Sequence, residues 1–146
     1  TLRLAQIDNV IGIKEASSNR GQILDIIAGR PEGFLVLSGN DDETFPLMKA
    51  GADGVISVAS NVAPEKMAKF VKALQGGYNE KAFKLNEELT PLFTNCFVES
   101  NPIPAKAGLA AMGMMQNELR LPLVPSQQKT YDLMVQTIRD LGINID

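Results

Sequence analysis

The stretch VIGIKEAS, residues 10–17, sets an amine against the end of an apolar run. With a period of two, Gly12, Lys14 and Ala16 fall on one face of an extended strand, and Ile13 and Glu15 on the other. Lys14 therefore projects beside two of the smallest residues available, with the empty space around it that a bound carbonyl compound requires. An amine held partly out of water has its pKa lowered, because burial disfavours the charged form. The neutral amine is the nucleophile that adds to a carbonyl and forms an imine. The simpler alternative makes Lys14 a strand-end charge, its stem on apolar neighbours and its head in water. This stretch alone favours the strand-end charge.

The residue types that are missing narrow the chemistry. The sequence has no histidine, so the commonest general base and metal ligand is absent. Its single cysteine, Cys96, cannot form an internal disulfide or a CxxC site, and in LFTNCFVE it reads as an inert buried thiol. Catalysis by this chain has to come from lysine, carboxylates, hydroxyls or backbone groups.

Two further stretches are candidates. In LSGNDDE (37–43), Gly39 follows an apolar strand on the face of Leu35 and Leu37, where the lack of a side chain permits close backbone approach. Asn40, Asp41, Asp42 and Glu43 resemble a metal cluster, but no histidine or second carboxylate group completes a shell. They fit a helix N-terminus, where such side chains cap free N–H groups and suit the dipole. GADGVISVAS (51–60) reads as turn, strand and further turn, with Ile56 and Ser57 near the strand's carboxyl end. In α/β sheets and barrels, ligands meet that end. No G-x-G-x-x-G fingerprint or P-loop supports nucleotide binding.

A net charge of -3 and a pI near 5.0 argue against a nucleic-acid or anionic-membrane surface. Lys66, Lys69 and Lys72 share a helical face that reads as solvated. No apolar run approaches the roughly 20 residues that span a bilayer, and the chain reads as a soluble cytoplasmic protein.

The elements that must carry these residues alternate. VIGI (10–13), FLVLS (34–38) and GVISV (54–58) are strands, each followed by polar turn residues and a helical pattern, which predicts parallel βα units. Their continuous apolar character predicts cover on both faces. Connecting helices are predicted near 20–29, with Ile23, Ile26 and Ile27 inward, and near 42–50, with Phe45 and Met48 inward. From Pro64 the pattern is helix upon helix. One helix carries Met67, Phe70, Val71 and Leu74 and stops at Gly76-Gly77. A second, 78–97, aligns Ala82, Leu85, Leu89, Leu92 and Cys96, with Pro91 expected to kink it or weaken one turn. NPIPAKAGLAAMG (101–113) reads as a turn entering a short helix, and 126–142 as a last helix facing inward with Tyr131, Met134, Val135, Ile138 and Leu141. Three parallel strands leave an exposed edge, so either the sheet is small and open or half of a larger fold is missing.

The stretches VIGIKEAS, LSGNDDETFPLMKAGADGVISVASNVAPEKM, FVESNPIPAKAGLAAMG and LRLPLVP, in this order and spacing, closely resemble the dihydrodipicolinate (4-hydroxy-tetrahydrodipicolinate) synthase family. The resemblance runs from about residue 1 to the C-terminus. It implies an α/β fold, the C-terminal part of a (β/α)8 TIM barrel. Residues 1–76 would form its last three βα units, strands six to eight, and residues 77–146 a C-terminal helical region. The implied reaction is a class I aldolase-type condensation of pyruvate with aspartate semialdehyde in lysine (diaminopimelate) biosynthesis, without metal or organic cofactor, in a homotetramer. By this resemblance Lys14 is the Schiff-base lysine, Gly39 lies beside the bound pyruvate, and Ile56 turns its backbone carbonyl toward that ligand. NPIPAK favours the synthase over the sister N-acetylneuraminate lyase.

The family's other functional residues belong to the first five strands: a threonine pair for the pyruvate carboxylate, the proton-relay tyrosine and its partner from a neighbouring subunit, and an entrance arginine. The lysine feedback site lies mainly there too. Tyr78 and Tyr131 sit in C-terminal helices and do not match that tyrosine. The opening TLRLAQIDN resembles the tail of a helix, so the chain is expected to be a fragment, inactive alone and prone to associate. The alternatives are another pyruvate-dependent aldolase and a non-catalytic half-barrel module.

Overall fold

The computed structural model describes residues 1–145. A short 3-10 turn over Leu4–Gln6 precedes the first strand, β1 (Gly12–Glu15). Helix α1 (Arg20–Gly29), β2 (Leu35–Ser38), α2 (Thr44–Lys49) and β3 (Gly54–Val55) follow. The rest is helical: α3 (Ala59–Val62), α4 (Pro64–Gln75), α5 (Asn79–Asn95), α6 (Ile103–Ala111) and α7 (Gln128–Asp140).

The expected alternation holds. The strands form one sheet in the order β1-β2-β3, both pairs parallel. Its register sets Lys14 opposite Leu37, and Leu37 opposite Gly54. β1 differs from the expected 10–13: it starts at Gly12 and runs through Lys14 to Glu15. Lys14 is thus inside the strand, paired across the sheet, and is not the charge that ends it.

The two faces of the sheet differ. On one, Ile13 packs with Val36, Phe34 and Ile26 of α1, and Val55 packs against the helical core. On the other, Lys14 is exposed, Leu35 is 42% exposed and Ile56 47%. The continuous apolar pattern predicted cover on both faces, and these residues provide it on one.

Sequence punctuation marks the start of α1 and both ends of α4. The Asn19 side chain accepts from the Gln22 N–H and starts α1, which buries Ile23 and Ile26. Pro64 opens α4, where a missing N–H costs nothing, and Gly77 at φ 73 follows its end. Pro91 does not end α5, which continues to Asn95. In α2, Thr44 and Leu47 take the fully buried positions, while Phe45 packs edge-on against Phe83 at 5.9 Å between ring centres. The main core joins α4, α5 and α7 through Met67, Phe70, Leu89, Leu92, Cys96, Met134 and Ile138. Tyr131 and Val135 are only partly buried. The turn expected after β3 is the short helix α3, which matters for the site.

Candidate active site

Lys14, Gly39 and Ile56 gather at the carboxyl end of the sheet because the three strands run the same way. The hydrogen-bond ladder continues one residue beyond the strands. The Gly39 N–H donates to the Glu15 carbonyl at 2.7 Å, and the Ile56 N–H donates to the Ser38 carbonyl at 2.8 Å. Gly39 and Ile56 therefore occupy matching positions on neighbouring strands, each just past the strand end.

Lys14 and Gly39 are in direct apposition. A Cβ built on Gly39 would lie 3.1 Å from Lys14 Cε, 3.1 Å from the Glu15 carbonyl oxygen and 2.6 Å from Ala16 Cβ. The space beside the amine exists only because this residue is glycine. Gly12 has a different role: a Cβ there would meet the Leu35 carbonyl oxygen at 2.7 Å, so a bare backbone lets β1 approach β2. Ile56 stands one strand further along the same edge.

The residue after the lysine points the other way. Glu15 is buried, and its Oε1 accepts the Ser17 N–H at 2.7 Å. Hydrogen bonding by Ser17 holds its carboxyl below the usual range, against burial, which raises it. Glu15 thereby anchors the turn that leaves β1.

Asn40, Asp41, Asp42 and Glu43 lie at the start of α2 as expected, but their side chains do not cap it. The N-cap of α2, Glu43, makes no capping bond to its own helix. Asn40 Nδ2 instead donates to Glu43 Oε2 at 2.6 Å and to Ser18 Oγ at 3.2 Å, tying the loop after β1 to that after β2. Ser18 holds a positive φ of 55 in this contact. Asp41 caps a different helix: its Oδ2 accepts the Val58 and Ala59 N–H groups, 17 and 18 residues away. The residue type revealed a cap, but nothing local revealed which helix it would serve. Among the described residues, no group of three or more His, Cys, Asp or Glu is placed to hold a metal ion. None of the described helices is long and apolar enough to cross a membrane.

The dihydrodipicolinate synthetase family model matches residues 1–141. This chain belongs to that family. Among relatives in the dihydrodipicolinate synthetase family, the 4-hydroxy-tetrahydrodipicolinate synthase of Thermotoga neapolitana is 46% identical over 142 residues, covering 95% of this chain and 48% of the relative. The synthase of Archaeoglobus fulgidus is 49% identical over 141 residues, covering 97% and 49%. The crystal structure of dihydrodipicolinate synthase from Thermotoga maritima superposes with a TM-score of 0.92 at 46% identity, covering 94% of this chain and 48% of that one. The chloride-inhibited enzyme from Acinetobacter baumannii, complexed with pyruvate, superposes with a TM-score of 0.92 at 35% identity, covering 98% and 49%. The chain spans about half the length of the curated relatives it matches.

Proposed function

We propose that the chain supplies the last three βα units of a (β/α)8 barrel (1–76) and the helical region that follows (77–146). The whole protein would condense pyruvate with aspartate semialdehyde in lysine biosynthesis, as a cytoplasmic homotetramer. Lys14 is its Schiff-base lysine. The observation that carries this reading is the apposition of Lys14 and Gly39: an amine inside a strand, at the ligand-binding end of a parallel sheet, beside a position kept free of any side chain.

The chemistry follows from the amine. The Lys14 Nζ adds through its lone pair to the keto carbon of pyruvate, and loss of water leaves an imine. Once protonated, the imine nitrogen accepts the electron pair left when the pyruvate methyl group gives up a proton. The resulting enamine carbon then bonds to the aldehyde carbon of aspartate semialdehyde as the aldehyde C=O π bond opens. The aldehyde oxygen takes up a proton, the imine re-forms, and water or the substrate's own amino group then displaces Lys14. No metal or organic cofactor is required by these steps. Gly39 leaves room for pyruvate, and Ile56 offers a backbone carbonyl from the end of the neighbouring strand. The groups that bind the pyruvate carboxylate and relay the proton lie in the remaining part of the barrel.

The test is borohydride reduction with pyruvate, read by intact mass and peptide mapping, on a full-length version of the protein. A reduced adduct on Lys14, lost in Lys14→Ala, is the expected result. Its absence would overturn the imine mechanism and leave a non-catalytic barrel portion. Assays with aspartate semialdehyde against N-acetylneuraminate then decide the substrate.

A further inference from the structure

The loop after β2 begins at Gly39 and the loop after β3 begins at Ile56, and the Asp41 side chain ties one to the other. Asp41 is 3% exposed, and its Oδ2 accepts the Val58 N–H at 3.0 Å and the Ala59 N–H at 2.9 Å. The backbone of the residue before it is pinned from two sides. The Ser38 hydroxyl donates to the Asn40 carbonyl at 2.8 Å, and the Thr44 hydroxyl donates to the same carbonyl at 3.1 Å. Ser38 and Thr44 are both fully buried. The carboxylate therefore reaches from a fixed platform on one loop to the backbone of the other, two residues past Ile56.

We propose that Asp41 is a positioning residue for the imine chemistry, holding Gly39 and the Ile56 carbonyl in register around Lys14. This rests on the reading of Lys14 given above. Asp41 acts through the loops and not on the ligand. Its other oxygen, Oδ1, is closed to solvent and has no hydrogen-bond partner among the described residues, so no carboxylate oxygen is presented to a bound molecule. Truncating the side chain would leave the buried Ala59 N–H and the half-buried Val58 N–H without this acceptor, and the loop after β3 would have to move to satisfy them.

The chain contains a matched control at the other end of the sheet. Asp53, just before β3, accepts the Val36 N–H at 2.8 Å and pairs with Arg30. It too is a carboxylate linking a loop to a neighbouring strand, but at the amino-terminal end, away from Lys14. Loss of either brace should lower stability. Only loss of Asp41 should disturb the reaction.

The experiment compares Asp41→Ala, Asp41→Asn and Asp53→Ala in a full-length version of the protein. Thermal unfolding, pyruvate KM and kcat, and backbone hydrogen exchange over residues 56–59 are measured for each. Asp41→Ala should raise the pyruvate KM on the order of 10-fold, with a smaller change in kcat, and should speed exchange at Ile56–Ala59. Asp41→Asn keeps an oxygen acceptor for both N–H groups and should restore KM and exchange to near the parent values. Asp53→Ala should lower the melting temperature without moving either. Equal effects of Asp41→Ala and Asp53→Ala on KM and local exchange would overturn the proposal, as would failure of Asp41→Asn to rescue. If the parent protein forms no imine with pyruvate, the Lys14 reading fails by itself. The exchange comparison then decides the brace, and unchanged exchange at Ile56–Ala59 in Asp41→Ala would sink it.

Discussion

Lys14 Cε lies 3.1 Å from where a Cβ on Gly39 would stand, so the two residues share one small volume at the end of adjacent parallel strands. Any side chain at 39 competes with the lysine for that volume. The same Cβ would lie 2.6 Å from Ala16 Cβ, which is attached directly to the backbone and cannot swing aside. Gly39→Ala should therefore displace both the backbone and the amine. We expect a destabilisation of roughly 1–3 kcal/mol, typical of overpacking, in a full-length version. Borohydride-trapped pyruvate adduct should fall by about 10-fold or more, since a small misplacement of a reacting group is costly. A Gly39→Ala protein that traps pyruvate at the parent rate would show that the glycine serves the fold alone.

Much of this was legible in the sequence, for identifiable reasons. Period two placed Gly12, Lys14 and Ala16 together, and the parallel register then carried that face onto Gly39. Strand ends were less legible: β1 was expected to stop before Lys14, because a charge after an apolar run resembles a boundary. In the structure the strand continues, because its backbone groups pair with β2 through Glu15 whatever the side chain. Asp41 shows the other limit. A capping residue is recognisable by type, but its partner helix lies 17 residues onward and is chosen by tertiary packing.

Acid should weaken the fold partly through Glu15. Its carboxyl is held below the ordinary carboxylate range, with the Ser17 hydrogen bond outweighing burial. The folded state therefore prefers the ionised group. The stabilisation this gives is fully present above the unfolded pKa and is lost as pH falls through the folded one. Asp53 acts in the same direction: burial raises its carboxyl, but Arg30 and the Val36 N–H outweigh burial and lower it. Urea midpoints taken from about pH 7 down to about pH 3 should fall, and should fall less for Glu15→Gln. If the variant and parent lose the same stability on acidification, Glu15 is not part of the acid response.

The open face of the sheet makes a prediction about the chain by itself. Leu35, Ile56 and Ile11 are 42%, 47% and 71% exposed, on and beside a parallel sheet of a kind normally covered on both sides. The isolated 146-residue chain should self-associate and show negligible condensation activity. Sedimentation should report concentration-dependent association, reduced when Leu35 and Ile56 are both changed to Asn. Turnover by the isolated chain comparable to a full-length version would contradict the view that the site is completed by the rest of the barrel.

Cys96 should be chemically silent until the protein unfolds. It is fully buried between α5 and the helical core, and burial, followed by the Asp41 carboxylate, pushes its thiol up to about 12. At pH 8 a thiol with that pKa is ionised in roughly one molecule in ten thousand, and the thiolate is the reactive form. A maleimide or disulfide reagent should label native protein orders of magnitude more slowly than unfolded protein. The rate should track the global unfolding equilibrium, since the surrounding core must open before the sulfur is reached. Labelling in a full-length version that stays fast and independent of urea would mean that α5 opens locally, and that the Cys96 environment is looser than its packing indicates.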